Sequence, residues 1–72
     1  MKISYYPDTD SMYIDFSLKE SVDSMEISPG IILDYDSDGN LTGIDIDNAT
    51  NKLDFNELIL NRVPINQQTI AA

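Results

Sequence analysis

Two runs of alternating apolar residues meet at Asp38-Gly39, and this junction constrains the fold more than any other feature of the chain. Asp-Gly between such runs is a strong short-range signal for a β-hairpin. The stretch from Gly30 to Asp47, GIILDYDSDGNLTGIDID, is therefore predicted to fold back on itself. A two-residue Asp38-Gly39 loop and a four-residue loop from Ser37 to Asn40 give the same register. Asp36 then stands opposite Leu41, Tyr35 opposite Thr42, Leu33 opposite Ile44 and Ile31 opposite Ile46. Side chains alternate between faces with period two, so the last six form one mostly apolar face. The other face takes Ile32, Asp34, Asp36, Leu41, Gly43, Asp45 and Asp47. A slip of one residue would bury the aspartates, which makes the register firm.

The segments before this hairpin read the same way. Ile3 and Tyr5 alternate with Lys2 and Ser4, Pro7-Asp8-Thr9-Asp10 is turn chemistry, and Met12, Ile14 and Phe16 alternate with Tyr13 and Asp15. Tyr6 opposite Ser11 places Tyr5 against Met12, Ile3 against Ile14 and Lys2 against Asp15, the last a modest cross-strand ion pair. Val22 to Ser28 alternates more weakly, and Pro29, which cannot donate to a ladder, either ends this strand or confines it to an edge. After Asp47 the period changes. Phe55, Leu58, Ile59 and Arg62 are spaced i, i+3, i+4, i+7, with Asp54 to Glu57 as a capping box and Asn51 as an alternative cap. The spacing predicts a helix from Lys52 or Asp54 to Arg62, stopped by Pro64 and packed on the apolar sheet face. The expected fold class is α+β: an antiparallel sheet of two hairpins and a linking strand, with one carboxyl-terminal helix. Residues 1–63 form the expected domain, and the uncharged residues 64–72 a frayed tail.

Size and charge limit what such a chain does. With 72 residues, it buries roughly 60% of the surface its unfolded form exposes, and its core is thin. A thin core and open strand edges predict self-association as a two-fold dimer. Thirteen acids against four bases give a formal charge of -9, and no Lys or Arg stands between Lys19 and Lys52. Such a surface repels phosphate backbones, so nucleic acid is not an expected partner, whereas a basic protein is. No run approaches the ~20 apolar residues of a membrane span and no apolar leader precedes the first strand, so cytoplasmic residence is expected.

Chemistry-bearing residue types are few. There is no Cys and no His, hence no thiolate and no imidazole base for a hydroxyl nucleophile. No phosphate-cradling Gly-rich loop is present, and no cofactor is implied. The expectation is no catalytic residue and no enzyme. The segment from Asp34 to Asp45 matches much of a calcium loop. Asp34, Asp36 and Asp38 fall at its first three ligand positions, Gly39 at the turn, Asn40 at the carbonyl position and Asp45 at the last, where Glu is usual. Its flanks are strands rather than helices, so the adopted reading is a solvated acidic face. Weak calcium binding through these residues is the alternative. Tyr6 and Tyr13 share the outer face of the first hairpin and join Asp34, Asp36, Asp45 and Asp47 as expected partner-binding residues, because tyrosine is enriched at binding hot spots.

Three pieces in one order carry a family resemblance: KISYYPDTDSMYIDF from Lys2, EISPGIILDYD from Glu26, and DGNLTGIDI from Asp38. Over about Met1 to Ala49 the chain resembles the small bacterial and cyanobacterial DUF2283 proteins. The segment after Thr50 departs from that pattern. The resemblance implies a small β-rich α+β fold and supplies no catalytic residue. Some such proteins stand beside predicted small toxins, so it also implies an antitoxin-like role, as partner of a small basic toxin.

Overall fold

A computed structural model describes residues 1–71; Ala72, the end of the expected tail, lies outside the described residues. Five strands form one antiparallel sheet: β1 (Lys2–Tyr6), β2 (Ser11–Asp15), β3 (Asp23–Ser28), β4 (Ile31–Tyr35) and β5 (Leu41–Ile46), followed by a single helical turn, α1 (Ala49–Lys52). Their order across the sheet is β1-β2-β5-β4-β3. The two expected hairpins are present, and the expected linking strand pairs antiparallel with β4 across Pro29-Gly30, making a third hairpin along one edge of the sheet. The sheet is closed in its middle by β2 against β5. Residues 16–22 carry the chain past the tip of the β4–β5 hairpin to the far edge. They are pinned at both ends, where Phe16 N donates to Thr42 O and Val22 N to Tyr35 O, each at 2.8 Å.

The predicted pairings hold through most of the sheet. All five pairs of the first hairpin are found, from Lys2–Asp15 to Tyr6–Ser11, and Leu33–Ile44 and Ile31–Ile46 hold in the second. Chained across strands, these pairs make continuous rows. One runs Ile3–Ile14–Ile44–Leu33–Met25 across all five strands, and beside it runs Tyr5–Met12–Ile46–Ile31. On the opposite face run Ser4–Tyr13–Asp45–Ile32–Glu26 and Lys2–Asp15–Gly43–Asp34–Ser24. The sequence alternation therefore sorts one face as apolar and the other as polar and acidic.

At the hairpin tip the expected register fails. The loop has three residues, Ser37-Asp38-Gly39, rather than two or four: Asp36 N donates to Asn40 O at 2.9 Å and Gly39 N to Asp36 O at 3.1 Å. Gly39 sits at φ 81, a left-handed conformation that glycine adopts without steric cost. Tyr35 consequently faces Leu41 instead of Thr42, and Asp36 does not face Leu41. A register shift between Asp34 and Tyr35 leaves Thr42 as the extra residue and restores the Leu33–Ile44 pairing. An odd loop and a one-residue bulge cancel, which is why the inner register matches while the outer one does not.

The predicted helix from Lys52 or Asp54 to Arg62 is not formed, and so does not cover the apolar face. The helical segment is earlier and is one turn long. Nine residues are short of the ~12–15 an isolated helix needs, and two Asn and an Asp weaken this stretch further. Asp54 Oδ1 accepts a hydrogen bond from Asn56 N at 2.9 Å, a local turn that does not propagate. The segment is instead held by Phe55, whose ring meets Tyr5 edge-on with centroids 5.3 Å apart. Among the described residues the buried hydrophobic ones are Ile46 and Ala49, and no large side chain is fully enclosed.

Asp10 holds α1 on the sheet. It lies at φ 51 in the first turn. Its carboxylate accepts from Thr50 N at 3.1 Å, Thr50 Oγ1 at 2.7 Å and Tyr5 Oη at 2.9 Å, and its carbonyl accepts from Ala49 N at 2.9 Å. The open N–H groups at the start of α1 are thus capped from a different hairpin. Asn48, at the ordinary capping position, makes no side-chain cap bond. These contacts hold the Asp10 carboxyl below its usual range, Thr50 being the largest cause.

Candidate functional site

The polar sheet face is built around Gly43. A side chain there would place its Cβ 2.7 Å from Tyr13 Cζ and 3.0 Å from the Ile14 carbonyl. With glycine in that place, the Tyr13 ring lies across β5 and its hydroxyl reaches β4. Tyr13 Oη donates to Asp34 Oδ2 at 2.5 Å, and Ser24 Oγ donates to Asp34 Oδ1 at 2.6 Å. A hydrogen-bonded line of side chains therefore joins β2, β4 and β3 over the intervening β5. The bond to ionised Asp34 favours the protonated phenol, and with burial it pushes Tyr13 up to about 12.

Asp45 occupies the neighbouring row, directly opposite Tyr13. Burial, followed by the charges of Asp47 and Asp34, raises its carboxyl above the usual range. The three aspartates share one electrostatic neighbourhood. Asp47 is drawn toward the rim, accepting from Ser11 Oγ at 3.3 Å, and its carbonyl accepts from Lys52 Nζ. Lys2 and Asp15 stand opposite in register, but among the described residues ion pairs within 4.0 Å are made by Lys19 alone. The expected Lys2–Asp15 pair is not closed.

Asp36 departs from the expected acidic face. It is buried, and its Oδ1 accepts from Asp38 N and Asn40 N, each at 2.9 Å. Its Oδ2 faces Lys19 Nζ at 4.0 Å, which Asp38 Oδ2 meets at the same distance. The backbone bond from Asn40 is the largest cause holding its carboxyl below the usual range. The absence of cations between Lys19 and Lys52 in sequence is thus partly undone in space, because the crossing loop returns Lys19 to the hairpin tip.

The calcium-loop residues are not brought to a common point. Asp34 is engaged by Tyr13 and Ser24, Asp36 by the loop amides, and Asp38 extends toward Lys19. Asn40 closes the turn through its backbone, and Asp45 stands on the polar face. Among the described residues no group of three or more acidic side chains converges as a metal site. The two tyrosines also separate. Tyr6 is exposed at 53%, whereas Tyr13 is half-buried with its hydroxyl committed to Asp34. The structure joins Asp34, Asp45, Asp47 and Tyr13 on one side of the sheet, adds Asp15 and Ser24, and withdraws Asp36.

The capping role of Asp10 was missed in the sequence, since its partner Thr50 is 40 residues away. The Tyr13–Asp34 bond was missed as well, and the signal that could have found it is Gly43, a strand-interior glycine of the kind that marks a close approach. No helix among the described residues is long and apolar enough to cross a membrane.

No curated protein and no solved structure matches the chain. Neither the geometry nor the comparisons supply support for the antitoxin role or for calcium binding. A family model described as "Protein of unknown function (DUF2283)" matches residues 2–49, the span that holds all five strands and Asp10, and the chain is a member of the DUF2283 family.

Proposed function

We propose that this chain is a non-catalytic protein-binding module whose polar sheet face receives a basic protein. The observation that carries the reading is the grouping on one face of Asp34 on β4, Asp45 on β5 and Asp47 just after it, along strands that hold no Lys or Arg; burial first, then the charges of Asp47 and Asp34, raise Asp45. Asp15 extends the negative surface onto β2, and exposed Tyr6 stands at its edge as an apolar anchor. A concentrated negative face steers a positive partner and sets the rate of encounter, while an aromatic anchor holds it. A small basic toxin is the partner class implied by the family resemblance alone.

The test is co-purification from the native lysate with mass spectrometry, run on the native chain and on Asp15→Asn/Asp45→Asn/Asp47→Asn. The expected result is one basic protein enriched by the native chain and lost from the variant, with association at low salt slowed by roughly tenfold. An identical set of captured proteins, or an unchanged association rate at low salt, overturns the reading.

A further inference from the structure

The other face of the sheet raises a separate question. A folded chain of 8.1 kDa ordinarily exposes about 4,500 Å². This one exposes 5980 Å². The excess of roughly 1,500 Å² is shared between the sheet and the exposed residues 54–71, and it is large enough to include the ~800 Å² that each partner loses in a standard interface. The row from Ile3 to Met25 crosses the whole sheet, yet its ends are 48% and 58% exposed, and beyond α1 Leu58 and Ile59 are 69% and 71% exposed. Neither apolar row contains a charged residue, although the chain carries -9.

We propose that the apolar face is covered by the same face of a second copy, giving a two-fold sandwich of two five-stranded sheets. An uncharged patch offers nothing to a basic protein, which the polar face already attracts. Its occupant must itself present an uncharged, apolar surface of similar extent, and a second copy does so. Sheets stack ~10 Å apart, so the two acidic faces point outward on opposite sides. They are then separated by more than the ~8 Å Debye length at physiological ionic strength, and their repulsion is largely screened. The same stacking encloses Ile14, Ile44 and Leu33, which are only half-buried in one chain.

Sedimentation equilibrium and thermal melting of the full chain, each at low and at high micromolar concentration, test this directly. The expected mass is twice the 8.1 kDa of one chain, with a melting temperature that rises with concentration. Ile3→Glu/Met25→Glu places charges at both ends of the apolar row. It raises the dissociation constant by roughly 100-fold or more, whether the separated chain stays folded or melts. Ser4→Lys/Glu26→Lys alters the opposite face of the same two edge strands and leaves the two-chain mass unchanged. The proposal is overturned by any of three results. One is a native chain that sediments as a monomer at high micromolar concentration while melting cooperatively. The second is a two-chain mass that survives Ile3→Glu/Met25→Glu, which moves the contact to a strand edge. The third is an equal loss in Ser4→Lys/Glu26→Lys.

Discussion

Removing one oxygen tests the polar face most directly. In Tyr13→Phe the ring still fits over Gly43, but Asp34 Oδ2 loses the donor that now stands at 2.5 Å. Hydrogen bonds to charged groups contribute roughly 1.5–3 kcal/mol, and partial exposure reduces this, so a loss of about 1–2 kcal/mol at neutral pH is expected. For a domain of this size that is a fall of roughly 5–15 °C in melting temperature. The pH dependence supplies an independent check. Tyr13 is raised from 10.0 to about 12 in the folded chain. Between those values the native state holds a proton that the unfolded state has released, so stability is full below pH 10 and falls as pH rises toward 12. Two units correspond to about 2.7 kcal/mol at most, and solvent screening brings this nearer 1. Urea melts of the native chain and Tyr13→Phe, at neutral pH and at steps through the alkaline range, measure both effects. An ultraviolet titration should show one tyrosine of four ionising last and missing from the variant. Equal stability at neutral pH, or an alkaline slope unchanged by the substitution, would refute the Tyr13–Asp34 bond.

Gly43→Ala should cost about 1–3 kcal/mol in chemical denaturation, because the new methyl displaces the Tyr13 ring and meets the Ile14 carbonyl; Tyr13→Ala combined with it should cost less than the two changes added. Asp45→Asn and Asp36→Asn should act in opposite directions in melts at neutral pH. Asp45 is raised, so its ionisation lowers stability as pH climbs past 3.8, and Asn should stabilise the fold; Asp36 is lowered, so its contribution is present above 3.8 and lost as pH falls through the folded value, and Asn should destabilise it. Ile44→Asp places a carboxylate in the middle strand of the continuous apolar row and should abolish the strand signal in circular dichroism.

The sheet was legible because its information is local and periodic. Ile3, Ile14, Leu33 and Ile44 fall on one face by counting twos from a turn, and an error of one would move aspartates inward, so the register is overdetermined. Strand order required more. Placing β5 beside β2 depends on Met12, Ile14, Ile44 and Ile46 sharing a face across hairpins, a contact between segments that no turn residue announces. The tip was misread because Asp38-Gly39 permits several loops, and the choice of three residues is paid back only at Thr42. The carboxyl-terminal helix failed for a different reason. Phe55, Leu58 and Ile59 have helical spacing, but spacing describes which face a helix would bury and not whether the helix forms. Asp54, Asn56 and Asn61 offer the backbone competing local bonds.

The aspartates illustrate how one composition serves three physical tasks. In DYDSDGN the same residues that resemble a cation loop fold a turn instead: Asp36 Oδ1 takes the amides of Asp38 and Asn40, and Gly39 supplies the positive φ. Calcium loops also depend on carboxylates, a tight glycine turn and inward carbonyls, so the two uses share a signature and differ in what the carboxylates face. In this chain Asp36 faces amides, Asp10 faces the start of α1, and Asp34 faces two hydroxyls. Those three stabilise the fold by completing donors that would otherwise be open. Asp45 and Asp47 have less to hold, and the Asp45 carboxyl is raised rather than lowered. Burial is the largest cause of that rise and the charges of Asp47 and Asp34 add to it, so ionised Asp45 opposes folding rather than serving it. Such charge is relieved by an approaching cation, which is the physical reason to look for a basic partner on this face and not at the hairpin tip.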